Sequence, residues 1–212
     1  MKKWFIPIIT ILLFGSCAHR EPYAPIVYKN LLQKKDNVFS LWWKGKIDVK
    51  TNREEVSASV IVVAKKDPLC IRIELTNWIS GTFAYGFIKK RRFVFLSLKE
   101  KKAYVGELPA EIKEKYIWSL IRALPIDTDA SKITFQNGKI IFISNRFKIS
   151  YKDYSLKEGI VFARHISICL NKTLNLKAEI KKAEFNKSIP PQLFSAVIPA
   201  KFQIIRYQVP SF

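Results

Sequence analysis

The sequence predicts a mainly β fold with some α-helix: a curved antiparallel half-barrel of about ten to eleven strands, covered by helices. Apolar and polar residues alternate with a period of two through most of residues 39–106 and again through 133–185. Between these regions, residues 109–124 carry apolar side chains at helical spacing. The chain is 49% hydrophobic and 13% aromatic, which supplies a packed core and excludes an intrinsically disordered protein.

The first sixteen residues have the pattern of an export signal. Lys2 and Lys3 precede an apolar run over residues 4–14. That run is too short to cross a bilayer, which takes about 20 residues, but it is typical of the apolar region of a secretory signal. We therefore expect residues 1–16 to direct export.

Small residues at the end of this signal lead to a cysteine. The stretch 13–17, LFGSC, resembles the lipobox of bacterial lipoproteins. The resemblance implies a lipoprotein signal peptide over 1–16, fatty acylation of Cys17, a lipidated tether over 17–25 and one domain over 26–212. Ala18, where an inner-membrane retention signal has Asp, implies a cell outer membrane location facing the periplasm. The alternative is an ordinary signal followed by a chance cysteine.

Composition excludes several classes of function. Lys and Arg number 37 against 17 Asp and Glu, a net charge of +20, but an exported chain does not meet chromosomal DNA, so we expect no nucleic-acid partner. Seven Gly without close spacing exclude glycine-cradled phosphate sites. With two His, three Cys and no hydrolase or metalloprotease motif, we expect no metal, no cofactor and no enzymatic activity.

His165 is interpreted as structural, and Cys70 and Cys169 as two free thiols, with a disulfide as the alternative.

The predicted elements follow in order along the chain. A first helix over 26–35 precedes the strands, and two basic clusters, 89–92 and 99–102, fall at hairpin turns. These clusters serve either solubility or contact with anionic lipid or an acidic partner. The amphipathic helix over 109–124 ends before Pro125, and Asn137-Gly138 predicts a two-residue hairpin between strands 133–136 and 139–144. Further strands are expected over 147–151, 161–170 and 173–185.

This order of elements resembles the LolA/LolB family of lipoprotein carriers. The most specific piece is residues 71–81, IRIELTNWISG, where LolB-type proteins have a strand ending in Leu-Thr-Asn-Pro-Leu-Gly. Weaker support comes from 104–106 (YVG), 117–125 (IWSLIRALP) and 189–194 (IPPQLF). The resemblance covers most of the chain after the signal and is nearest to LolB, the outer-membrane lipoprotein receptor.

The family resemblance implies a function and a set of site residues. It implies a monomer that accepts lipoproteins from a periplasmic LolA-like carrier, holds their acyl chains in an apolar cavity and inserts them into the outer membrane. Ile79 matches the protruding Leu of the family's membrane-transfer loop, and Trp78 replaces its Pro; the alternative is a strand end folded back on the core. The acyl-binding cavity is predicted from strand and helix periodicity, with ordinary core as the alternative for each residue. Its members are Trp43, Ile47, Val60, Ile71, Ile73, Leu75, Ile112, Tyr116 and Leu120.

Two other functions remain open at this point. One is a periplasm-facing module that binds or senses another amphiphile such as lipopolysaccharide, for which a basic surface would suit lipid phosphates. The other is a structural envelope lipoprotein with a closed core and no ligand.

Overall fold

One large β-sheet dominates the molecule. The computed structural model describes residues 38–110, 112–123, 132–143, 147–170 and 173–207. Within them, twelve strands form a single sheet in the order β12-β6-β5-β4-β3-β2-β1-β11-β10-β9-β8-β7. The strands are β1 (Ser40–Lys50), β2 (Glu55–Lys65), β3 (Cys70–Asn77), β4 (Gly81–Lys89), β5 (Arg92–Ser97), β6 (Lys102–Glu107), β7 (Lys132–Gln136), β8 (Lys139–Ile143), β9 (Phe147–Lys157), β10 (Ile160–Leu170), β11 (Leu174–Phe185) and β12 (Gln203–Arg206).

The pairing is antiparallel everywhere except at one edge. Each of β1 to β6 pairs with its sequence neighbour, as does each of β7 to β11. Strand β12 pairs in parallel with β6. Parallel neighbours cannot be joined by a hairpin and need a long connection between them. In the described part of the chain, β7 and β12 are the two edges, so the sheet is open.

The predicted helical cover is wrong for the described residues. They contain one α-helix, α1 (Glu114–Ile121), and a single turn of 3-10 helix over Pro191–Phe194. An eight-residue helix is about 12 Å long, whereas strands lie about 4.8 Å apart, so α1 spans only two or three of the twelve strands. The predicted helix over 26–35, the signal, the tether and Cys17 lie outside the described residues.

The strand count is also corrected, from about ten or eleven to twelve in the described residues. The additional strand is β12, whose residues Gln-Ile-Ile-Arg do not alternate in polarity and therefore give no strand signal. The hairpin predicted at Asn137-Gly138 is confirmed: both residues have positive φ, 48° and 71°, as a type I′ turn requires.

The two faces of the sheet are covered by different parts of the chain. We call the face on which α1 packs the helix face; its main cluster includes Leu41, Trp43 and Ile71 with Trp118 of α1. We call the other face the tail face, because the segment 187–202 crosses it between β11 and β12. There Phe194 packs near Val63 and Cys70, and Phe202 packs near Leu96 and Ala103. The tail-face part of the core therefore depends on a segment without regular strands.

The pairing of β1 with β11 joins the two halves of the sheet. The register shifts between Lys44 and Gly45, so that Gly45 lies opposite Ile180. A Cβ on Gly45 would collide with the backbone carbonyl of Glu179 and lie 3.2 Å from the Cα of Ile180. Glycine at this position lets the two backbones approach each other at the irregularity.

No helix among the described residues is long and apolar enough to span a membrane.

We expect Gly45→Ala to lower the free energy of unfolding by about 2 kcal/mol or more, because the clash is with fixed backbone atoms. Gly86→Ala is the matched control, since its Cβ would meet the Ile73 side chain at an ordinary 3.5 Å. Urea denaturation of both variants measures the difference. Equal midpoints for the two variants would contradict this account of the β1–β11 junction.

Candidate functional site

A row of mainly apolar side chains crosses the helix face from β1 to β6. Residues directly opposite each other on paired strands point to the same face, so successive pairs define a continuous line. The side chains in this apolar row are Trp43, Val62, Ile73, Gly86, Phe95 and Tyr104. A second row beside it contains Leu41, Ala64, Ile71, Ile88 and Phe93.

Helix α1 covers one end of the apolar row. The indole Nε1 of Trp43 donates a hydrogen bond of 3.0 Å to the carbonyl oxygen of Ile121. Ala123 lies two residues after the end of α1. Its carbonyl oxygen accepts a hydrogen bond of 3.4 Å from the amide of Ala163 on β10. These bonds hold the end of α1 between β1 and β10. Among the described residues, the cluster on which α1 packs contains no member from β5, β6 or β12.

Eight of the nine predicted cavity residues lie together in this cluster. Trp43, Val60 and Ile71 are buried there, so an acyl chain would reach them only if the packing above them opened. The remaining five are partly buried and pack against it: Ile47, Ile73, Leu75, Tyr116 and Leu120. The ninth, Ile112, is half-buried but precedes α1, because the helix begins at Glu114 and not at residue 109. Their role in binding acyl chains stays a prediction.

The other end of the apolar row opens into an aromatic cavity. This aromatic cavity has a volume of about 390 Å³ and is lined by Phe93, Phe95, Ser97, Glu100, Tyr104 and Tyr207. The rings of Phe95 and Tyr104 lie 6.2 Å apart, and those of Phe93 and Tyr207 lie 6.4 Å apart edge to face. Phe95 keeps 38% of its surface exposed. The aromatic cavity is therefore an open, mainly apolar groove with Ser97 and Glu100 at its margin.

Glycine at position 106 allows the aromatic cavity to form. A Cβ on Gly106 would lie 2.8 Å from two atoms of the Phe93 ring and would collide with the carbonyl of Tyr207. The sequence did not reveal this cavity. Residues 93–96 of β5 are all apolar, so polar and apolar residues do not alternate there and the pattern does not show which side chains face the helix face. Tyr207 reaches the cavity only through the parallel pairing of β12, which the sequence did not predict.

The turn between β3 and β4 projects Trp78 and Ile79 away from the sheet. We call residues 78–80 the tip turn; Trp78 is 94% exposed and Ile79 is 78% exposed. The side-chain oxygen Oδ1 of Asn77 accepts hydrogen bonds from the amides of Ile79 (3.2 Å) and Ser80 (2.6 Å) and from the Ser80 hydroxyl (2.7 Å). This arrangement is an Asx turn, closed by Gly81 at φ +66°. The tip turn is therefore held in shape without packing against the core.

A more polar cavity, of about 580 Å³, lies on the tail face between the sheet and residues 187–193. Its walls carry two ion pairs: Arg72 with Glu74 at 3.2 Å, and Lys182 with Glu184 at 3.0 Å. The hydrogen bond from Lys182 holds the pKa of Glu184 below its usual value. Because Arg72 and Lys182 are each paired with a carboxylate, they leave little positive charge in this cavity for an anionic ligand.

The histidine and the two cysteines considered from the sequence do not lie together in one site. His165 Nδ1 lies 2.6 Å from Asp153 Oδ2, at the surface of β10 and β9. Both thiols are free: Cys169 is half-buried, and burial raises the pKa of the buried Cys70. In the part of the chain that the structure describes, no three His, Cys, Asp or Glu side chains are grouped to hold a metal ion.

Comparison with known proteins identifies the fold. No protein-family model and no curated protein matches the sequence. Among solved structures, a LolA superfamily protein from Nitrosomonas europaea has 10% identity and a TM-score of 0.51, over 82% of this chain and 98% of that one. The chain shares the LolA fold. A domain named as an outer membrane lipoprotein-sorting protein, from Vibrio parahaemolyticus, has 7% identity and the same TM-score, over 81% and 97% of the two chains.

The LolA fold confirms the coarser part of the family resemblance. At 10% identity or below, the likeness concerns architecture, so the LolB type and the signal peptide stay predictions.

We expect Phe95→Glu to weaken the binding of a fluorescent fatty acid by about tenfold or more, because it puts a carboxylate into the apolar wall of the aromatic cavity. Leu156→Glu is the control, since Leu156 is 68% exposed and lies outside that cavity. Fluorescence titration measures both affinities. The same loss in both variants would exclude the aromatic cavity as the fatty-acid site.

Proposed function

We propose that this chain is an outer-membrane-anchored receptor that binds the acyl chains of lipoproteins on its helix face and passes them into the membrane. In this proposal Cys17 carries the lipid anchor, the domain faces the periplasm as a monomer, and a LolA-like carrier delivers the lipoproteins. The protein needs no enzymatic step, because the acyl chain changes its surroundings and not its covalent structure.

The observation that carries the proposal is the continuity between the apolar face and the tip turn. Strand β3 places Ile71, Ile73 and Leu75 on the helix face, and the tip turn begins three residues after Leu75. An acyl chain in water is unfavourable by about 0.8 kcal/mol per CH₂, so a transfer protein has to offer an apolar path up to the bilayer. The exposed Trp78 and Ile79 would extend that path to the membrane surface.

The LolA fold supports the same proposal. One structure with this fold is named as a lipoprotein-sorting protein domain, and another as a LolA superfamily protein. Both are similar over more than four fifths of this chain. That likeness, together with the exposed tip turn, supports a carrier-type function for this chain.

Native mass spectrometry discriminates between the possible ligands. If the mature chain is purified from its membrane in mild detergent, bound acyl species or lipoproteins would support the receptor. Bound glycolipid would favour the amphiphile-binding module, and a chain that never carries a ligand would favour a structural lipoprotein.

We expect Ile79→Glu to leave the stability unchanged and to slow the transfer of a labelled lipoprotein to liposomes by about tenfold or more, since a charged tip is poorly accommodated in the bilayer. The matched control is Val197→Glu, because Val197 is 76% exposed and lies in the segment of the tail face. Unchanged transfer by Ile79→Glu would remove the tip turn from the mechanism.

A further inference from the structure

Within the meander β1–β6, three turns lie at the same end of the sheet. In an antiparallel meander alternate turns fall at the same end, so the tip turn lies between the β1–β2 turn (51–54) and the β5–β6 turn (98–101). We propose that this end of the sheet binds an anionic phospholipid surface, with lysines of the β5–β6 turn contacting the lipid phosphates while Trp78 and Ile79 enter the apolar boundary. This inference rests on the proposed membrane role of the tip turn and adds the headgroup charge that the surface must have.

Charge distinguishes the two flanks of the tip turn. Residues 99–102 carry three lysines and one glutamate. Lys102 pairs with Glu100 at 3.5 Å, and in the described part of the structure Lys99 and Lys101 are exposed without a carboxylate partner. On the other flank, Lys50 and Arg53 are balanced by Glu54 and Glu55, with Lys50 paired to Glu55 at 3.2 Å. Of these two flanks of the tip turn, the β5–β6 flank is therefore the one with uncompensated positive charge among the described residues.

The spacing along the strands matches the depth of a lipid interface. The amide of Leu98 donates to the carbonyl of Phe83 at 2.9 Å, which fixes the start of the β5–β6 turn at the level of Phe83. Gly81 is two residues further along β4, about 7 Å at roughly 3.4 Å per residue, and the tip turn lies beyond it. Apolar groups at an interface are buried by about 5–10 Å. When Trp78 and Ile79 reach that depth, Lys99 and Lys101 lie at the level of the phosphates.

The opposite flank determines how the sheet approaches the membrane. Pairing of β1 with β2 continues four residues past Ser59, which is opposite Thr76, and ends at Lys50 and Glu55. This hairpin is at least as long as the tip turn along the strand direction, and Glu54 and Glu55 would be repelled by an anionic surface. The sheet would therefore tilt so that the β5–β6 flank faces the lipid.

The test compares two charge reversals of equal size at opposite ends of the sheet. Lys99→Glu/Lys101→Glu alters the β5–β6 turn, and Lys89→Glu/Lys90→Glu alters the β4–β5 turn at the far end. The pair is well matched, because all four lysines are exposed and because Lys101 and Lys90 have nearly the same positive φ, 54° and 55°. Both variants are made in the predicted mature chain, residues 17–212, with Cys17→Ser; it keeps every described strand and lacks an acyl anchor.

Binding is measured by flotation with two kinds of vesicle. One is phosphatidylcholine alone, and the other is equal parts of phosphatidylcholine and phosphatidylglycerol. A lysine near an anionic surface contributes about fivefold to binding, so reversing Lys99 and Lys101 should weaken binding to the anionic vesicles by at least about twentyfold. Reversal of Lys89 and Lys90 should change it by less than about threefold, because their distance from the surface exceeds the screening length of about 8 Å.

Each outcome decides the inference. An equal loss in both variants, or equal binding of the unreversed chain to both kinds of vesicle, overturns it. If anionic preference is absent while Ile79→Glu still slows transfer, the proposed receptor function stands without headgroup recognition. If the lysine effect is present while Ile79→Glu has no effect, the surface binds anionic lipid but the transfer role fails. Should charge reversal impair folding, Lys99→Gln/Lys101→Gln tests the same contact, with a loss of several-fold expected.

Discussion

The antiparallel pairing of β1 with β11 is the interaction on which the rest of the structure depends. It joins strands that are about 130 residues apart in sequence, and without it the chain would form two separate meanders, β1–β6 and β7–β11. Gly45 makes the close approach possible at the register shift. Through this junction Trp43 on β1 faces residues from both halves, so one helix-face cluster can form with α1 above it.

Each face of the open sheet is covered by a different part of the chain, so the sheet buries apolar side chains on both faces although it has little helix. On the tail face, segment 187–202 lays Phe194 and Phe202 over β2, β3, β5 and β6 and then returns to the edge as β12. On the helix face, α1 covers the region around β1 and β10 and leaves the aromatic cavity accessible beside β5 and β6. The uncovered part of the helix face is therefore continuous with the buried part through Ile73, Gly86 and Phe95.

Apolar surface and positive charge meet at the end of the sheet that carries the tip turn. The apolar row runs across the strands, while β3 carries apolar side chains along its length to the tip turn. The exposed indole of Trp78 follows directly, and the unpaired lysines of the β5–β6 turn lie on one side of it. The proposed transfer of a lipid-bearing client to a bilayer uses these three features together: the apolar helix face, the exposed tip turn and the cationic β5–β6 flank.

The sequence by itself determined the eleven meander strands, the Asn137-Gly138 hairpin, and which side chains of β1 to β3 share a face. These features follow from two local rules: a period of two, and a turn that needs positive φ. Only the tertiary structure decided the parallel β12, the length of α1, the aromatic cavity with Tyr207, and the burial of Trp43, Val60 and Ile71. Each of these depends on contacts between residues far apart in the chain, and alternation in sequence carries no information about which distant segment covers an apolar face.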